Sequence, residues 1–483
     1  MSANPGEKAV EVEGDSRSFN IRNVVDRFAY GLFLFAAVLA PLPFGSKSPF
    51  WLMVWTTFAA IALLLADGRR LNAGSARVFL CVFVVFLSYL IVALAQLATP
   101  ATLALEIWGQ MWLALGIEGA SYSVAVKDAP FIFLLRPLLC LTVFAAALIF
   151  SSDDEKARWL LRSVAAVTVL GGIVGLVALM FDIRALRPFD QGGSLVAFFV
   201  SKNTSAIYLG SGFLILFAIL ALKIRSVLRD GGEVRSVKSV LSSSESRILM
   251  VCAAILLVLL PLTLSRAGLI LTIALASLAS LTLFAGQVKK KPWVLPVLAL
   301  GTLATLFVLT GNQLHERLVK RGLEDQNRVA VYEIMVESIG EHPLLGMGLG
   351  TFRNVFPSLR TEELGMKGIW DLGHSTPLEL AFEGGLPLVF VVLAFFILCG
   401  ALLVRGIKRR PDDPYILAAL LVGLLGALHS CIDFSLQLPG YAAEYMALTG
   451  LGVGRAMLPA ERARRYIRSS RRRQSTLPRV PNS

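Results

Sequence analysis

The chain has 483 residues, 56% of them hydrophobic and only 16% charged, with a mean hydropathy of +0.70. Soluble domains rarely reach that balance, and apolar runs of bilayer-crossing length, roughly 17–25 residues, recur from end to end. In such a chain the net charge of +13 reads as positive-inside topology and attraction to anionic headgroups, with no nucleic acid as partner.

The expected fold class is all-α: a polytopic membrane protein with about twelve transmembrane helices and one long, partly helical periplasmic loop. The polar start, 1–27, lacks an apolar h-region, so the first apolar run is expected to be retained. Predicted spans are 28–44, 50–66, 78–98, 130–150, 163–182, 204–222, 247–265, 267–285, 293–311, 386–404, 415–432 and 440–457. The chain then divides into a cytoplasmic tail (1–27), nine helices (28–311), the loop (312–385), three helices (386–457) and a basic cytoplasmic tail (458–483). Basic residues such as Arg69, Arg70, Lys156, Arg158 and the triplet Lys289 to Lys291 fall in alternate loops. That pattern places both termini in the cytoplasm and the long loop outside. The cysteines (Cys81, Cys140, Cys252, Cys399 and Cys431) lie in or at the edge of apolar runs without metal or redox spacing, as packing residues do.

Several polar residues interrupt these runs. Arg136 falls inside the fourth span and is followed by Pro137; it either faces the bundle or a wet cavity, or snorkels outward. Arg184, Arg187, Lys202 and Asn203 share an outward loop, as a basic pocket or as scattered solvated charge. Ser265-Arg266 separates two apolar runs at an outward turn, where an arginine pairs with an anion or anchors the interface. His429 and Asp433 are four apart, so they share a helix face, either to relay protons or to bond structurally.

The long loop carries the most chemistry. From Arg328, the residues Val329, Tyr332, Met335, Val336 and Ile339 recur at helical spacing and predict an amphipathic helix ended by Glu341-His342-Pro343. Gly346, Gly348 and Gly350 follow, allowing tight turns. Thr376-Pro377-Leu378-Glu379 has the form of a capping box with proline at the first helical position, which sets His374 just before a helix N-terminus. The field there favours anions and disfavours imidazolium, so His374 is expected to be neutral and able to accept a proton; the plainer reading is a loop residue with a local hydrogen bond. His315 and His342 show no metal-type spacing with each other or with His374.

In order along the chain stand SKNTSAIYL, the turn SRAG (Ser265 to Gly268), Arg328 with Tyr332 four residues on, PLLGMGLGTF, GHSTPLELAFEGGLP and HSCIDFSLQLPG. This series resembles the O-antigen ligase and polysaccharide polymerase family of bacterial membrane proteins, most specifically from Ser265 to Gly440. The resemblance implies a metal-independent, inverting glycosyltransferase without cofactor in the bacterial inner membrane. It would move a glycan from undecaprenyl pyrophosphate to an acceptor at the periplasmic face. The acceptor is lipid A–core in a ligase and a second lipid-linked glycan in a polymerase. By position His374 matches the histidine that activates the acceptor hydroxyl, and Arg266 and Arg328 match arginines on the donor pyrophosphate; Arg187 and Arg136 are further candidates. Ser265, Asn203, Ser375, Glu379, His429 and Asp433 are expected to support them. The chain departs from the family pattern at Ser375, often Asn, and at Tyr332, often Trp. A solute or anion transporter is the rival of another class, but transporters place charge at the bilayer midplane, whereas here most polar residues gather at one face. A peptidoglycan polymerase would share the donor, but its outward carboxylate motif is not found.

Overall fold

The computed structural model describes residues 21–98, 128–187, 193–229, 234–286, 314–361, 364 and 370–459. The predicted ninth span, 293–311, and most of both tails lie outside the described residues. The elements are helical, with no strand among the described residues: α1 (Ile21–Leu39), α2 (Pro49–Leu65), α3 (Ala73–Ala98), α4 (Ala129–Phe150), α5 (Asp154–Met180), α6 (Lys202–Arg229), α7 (Val234–Leu241), α8 (Ser244–Leu262), α9 (Arg266–Leu283), α10 (Leu314–Glu341), α11 (Phe352–Val355), α12 (Thr376–Arg409), α13 (Pro414–Ser430) and α14 (Pro439–Ala456).

Seven of these, α3, α4, α5, α6, α8, α9 and α12, are long and apolar enough to cross a membrane, while α2 and α13 are apolar but shorter. Intrahelical hydrogen bonding satisfies the backbone that lipid cannot. The outer helices turn large apolar side chains outward, among them Leu80 and Ile91 on α3, Val251 and Val258 on α8, and Phe390 and Ile397 on α12. The centre is built differently. Every residue of α14 is buried, and this helix packs on α4, α12 and α13. A side chain at Gly450 would strike the carbonyl of Phe144, so glycine there is what lets α14 and α4 approach. At the far end of α14, Arg455 pairs with Asp413 and Asp154, and Asp413 also caps α13 through Tyr415 N at 3.0 Å.

The long loop folds on a small core of its own. Val331, Ile334, Met335 and Ile339 of α10 pack with Met347, Phe352, Phe356 and Phe382. Two expectations need correction. Helix α10 begins at Leu314, well before Arg328. Its buried stripe is also rotated: Val329 and Val336 are exposed, while Val331, Ile334 and Ser338 are buried. The aromatic cluster of Phe352, Phe356 and Phe382 offers the larger apolar surface, and α10 turns to meet it.

Candidate functional site

The loop is docked through a break in α12. At Gly385 the backbone takes φ 79°, ψ 167°, and Pro387 supplies no N–H. The carbonyls of Phe382 and Glu383 accept instead from Met347 N at 2.7 Å and Gly348 N at 3.0 Å, while Leu386 N donates to Pro343 O at 2.8 Å. Gly346, Gly348 and Gly350 all have positive φ, as their spacing predicts. Gln96, buried at the end of α3, closes the arrangement. Its amide donates to the carbonyls of Leu345 at 2.6 Å and Glu383 at 2.8 Å and accepts from Leu349 N at 3.0 Å. The Glu383 carboxylate accepts from Phe352 N at 2.8 Å, and that of Glu379 accepts from Gly373 N.

The expected capping box does not form. Ser375 is the N-cap of α12, without a side-chain cap bond. The Thr376 hydroxyl donates to the carbonyl of Asp433 at 3.1 Å, and Glu379 reaches past the helix end to Gly373. Tertiary partners outcompete the local cap here, because these groups are half-buried or buried and must be satisfied.

His374 sits directly before this helix start in a left-handed conformation, φ 55°, uncommon for a residue with a side chain. Three contacts hold it. Tyr332 Oη donates to its carbonyl at 2.8 Å, and the rings of Trp370 and Phe434 meet the imidazole edge-on with centroids 5.3 and 5.0 Å away. Its Nδ1 is buried without a hydrogen-bond partner. Burial, then the nearby charge of Arg328, lowers the imidazole pKa to about 4 against the opposing pull of Asp433. The ring is therefore neutral at pH 7, as a base must be. Desolvation also raises the pKa of the Tyr332 phenol.

Asp433 is the hub beneath. Its carboxylate accepts from Asn203 Nδ2 at 3.1 Å and from the Ser435 hydroxyl, and His429 Nδ1 lies 3.8 Å away. Thr204 Oγ1 donates to Ser435 Oγ at 3.2 Å. The N-termini of α6 and α12 thus converge on one turn after α13, and both ends carry positive dipole charge. Arg328 lies close enough for its charge to act on His374, Tyr332 and His429. Arg266 is exposed at the first turn of α9, where Gly268 packs against Ala206 of α6. Beside it the buried Ser265 hydroxyl has no partner, an unmet polar group at a helix N-terminus.

Two predicted arginines stand elsewhere. Arg187 lies 3.5 Å from Asp182 and keeps a buried Nε without a partner; among the described residues no contact links it to His374. Arg136 faces Glu379 and Glu383, whose carboxylates feel its charge. Among residues the sequence reading passed over, Gln96 and Glu383 pin the loop, and Trp370 and Phe434 frame the histidine. A lone glutamine in an apolar helix is a signal in its own right; the two rings carry none.

Residues 251–393 match a family model described as O-Antigen ligase. Over that stretch the chain is similar to the O-antigen ligase family. The match runs from α8 into α12 and takes in Arg266, Arg328 and His374, while Asn203, His429 and Asp433 lie outside it and complete the site through the fold. A search of curated proteins finds no match. The matched domain and the seven long apolar helices both support a multi-pass membrane protein. The match supports an enzyme of O-antigen ligase kind.

Proposed function

We propose that this protein is a member of the O-antigen ligase family and an inner-membrane glycosyltransferase that moves a glycan from undecaprenyl pyrophosphate to an acceptor hydroxyl at the periplasmic face. The observation that carries the reading is His374: a neutral, half-buried imidazole at a helix mouth, beside Arg328 and over the Asp433 hub. The acceptor hydroxyl gives its proton to His374, its oxygen bonds to the anomeric carbon, and the bond from that carbon to the pyrophosphate oxygen breaks with its electron pair. Attack from the opposite face inverts the centre. Arg266 and Arg328 bind the departing pyrophosphate and stabilise its charge. Ser265 adds a hydroxyl there, and Asn203, His429, Asp433, Ser375 and Glu379 position the frame. Both termini lie in the cytoplasm, and about twelve spans carry the loop, 312–385, on the outer side.

Two acceptors suit this chemistry. Lipid A–core makes the protein a ligase, as the matched domain's description favours. A second lipid-linked glycan makes it a polymerase. Deleting the gene and complementing with wild type or Arg266→Ala, then resolving surface and lipid-linked glycans on gels, tests the reading. A ligase leaves polymer stranded on the carrier; a polymerase leaves single repeats. Surface glycans unchanged by deletion would remove the proposal.

The histidine environment also sets a pH signature. With the imidazole pKa near 4, kcat/KM should hold down to about pH 5 and fall below it. Removing the Arg328 charge relieves repulsion of the imidazolium, so Arg328→Gln should shift the acid limb upward. Asp433→Asn removes an attraction and should shift it downward. A limb that stays in place in both variants would show that His374 is not the titrating base.

A further inference from the structure

Three consecutive residues in the turn between α1 and α2, Phe44, Gly45 and Ser46, have left-handed backbone, with φ 53°, 71° and 57°. Only the glycine is at ease there. Such a conformation persists where the surroundings over-determine it, and here they do. The buried Ser46 hydroxyl donates to the carbonyl of Ala40 at 2.6 Å and accepts from Trp55 Nε1 at 2.7 Å. A side chain at Gly45 would strike the ring of Phe199, and one at Gly440 would strike the carbonyl of Ala40. The turn is therefore seated on the segment before α6 and on α14. The next residue, exposed, is Lys47, whose Nζ lies 3.2 Å from Asp371 Oδ2.

The other oxygen of that carboxylate faces the loop. Asp371 Oδ1 lies 3.4 Å from Nε of Arg353 on α11, beside the buried Phe352. One side chain thus bridges the helix bundle and the small core of the loop. Its neighbour Trp370 stands between that core and the histidine, with its ring 6.5 Å from Phe356 and 5.3 Å from His374. Further along, Gly373 N is held by the Glu379 carboxylate and the His374 carbonyl by Tyr332 Oη. Those bonds fix the backbone at the histidine; the two ion pairs fix the chain next to Trp370. Exposed ion pairs are weak, each shifting an equilibrium by up to about fivefold. That is too little to hold a fold together, but enough to bias a local opening of a few residues.

We propose that Asp371 is a positioning residue: tied to Lys47 on a fixed turn of the bundle and to Arg353 on the loop core, it holds Trp370 over His374 and keeps water from the ring. The inference deepens the glycosyltransferase reading and rests on it for the role of His374 as base; the latch itself does not. A strained turn that ends in Lys47 has a purpose in this arrangement, because a cation on a mobile turn would not fix its partner.

The pH profile separates positioning from simple charge. The titratable and charged groups around the imidazole are Arg328 and Tyr332 of α10, Glu379 of α12, and Asp433 with His429 beside it. The charges that act on the ring are those of Arg328 and Asp433, and burial lowers its pKa more than either. If Asp371→Asn acted only by removing a negative charge, the imidazolium would be disfavoured and the acid limb of kcat/KM would move down. If it lets water in, the burial effect fades and the limb moves up, toward the ordinary imidazole value of about 6.5.

The test reads His374 directly. Diethyl pyrocarbonate acylates neutral imidazole, and peptide mass spectrometry of the full-length protein in detergent gives the rate at each histidine. Asp371→Asn and Lys47→Glu should each speed modification of His374 about fivefold, with kcat falling by a similar factor and the acid limb of Asp371→Asn moving up. His429, buried on α13, should stay slow. In wild type the His374 rate should rise with salt, which screens exposed pairs; in Asp371→Asn it should not. Reversing the pair, Lys47→Glu with Asp371→Lys in an Arg353→Gln background, should bring the rate back toward that of Arg353→Gln alone. An unchanged His374 rate in Asp371→Asn, an acid limb that moves down, or a reversed pair no slower than its single variants would overturn the proposal. So would a His429 rate that rises in step, the mark of general loosening. Faster modification with the salt effect and the rescue, in a protein that transfers no glycan even as wild type, would leave the latch standing and remove the glycosyltransferase reading instead.

Discussion

His374→Ala should lower the rate of glycan transfer by about 10²–10⁴-fold while the protein stays folded. The size follows from general-base catalysis: without an acceptor for the hydroxyl proton, attack must proceed from a neutral, weakly nucleophilic alcohol. Folding should survive because the imidazole makes ring contacts with Trp370 and Phe434 but leaves its Nδ1 unbonded. The hydrogen bond that anchors the segment runs from Tyr332 Oη to the backbone carbonyl of His374, which alanine retains. Single-turnover transfer from a purified lipid-linked donor, with the thermal midpoint in detergent as control, measures both. Full activity in the alanine variant would end the base assignment.

Gly385→Ala should cost almost as much activity without touching a chemical group. At φ 79°, ψ 167° only glycine is comfortable; another residue there carries strain of about 1–3 kcal/mol. The added Cβ would also run into the carbonyl of Leu344. Relief would require the break in α12 to close or the loop to lift. Either change removes the bonds from Met347 N and Gly348 N to Phe382 O and Glu383 O, and with them the seat of the segment that carries His374. Limited proteolysis between Glu341 and Thr376 in reconstituted membranes should become faster, in parallel with lost transfer. An unchanged digestion pattern together with normal transfer would mean that the break is not what positions the site.

The corrections share a cause. The apolar face of α10 was legible as helical but not in its rotation, because Val329 and Val331 are equally apolar and only the position of Phe352, Phe356 and Phe382 selects between them. Thr376 and Glu379 have the spacing of a capping box, yet each found a partner that no local pattern reveals. Arg187 and Arg136 both stood as donor candidates; in the fold Asp182 lies 3.5 Å from the first, and the second lines two cavities.

The membrane class followed from the sequence alone, because transfer into lipid adds up residue by residue and needs no knowledge of neighbours. The same holds for the positive-φ glycines and for the family series from Ser265 to Gly440, which are local in the chain. Tertiary structure alone decided which polar groups are paired and which remain open. Gln96 meets Glu383 across 287 residues and Asn203 meets Asp433 across 230. Buried hydrogen bonds and unpaired charges depend on who arrives from elsewhere in the chain, and only the folded packing of α3, α6, α12 and α13 supplies those partners.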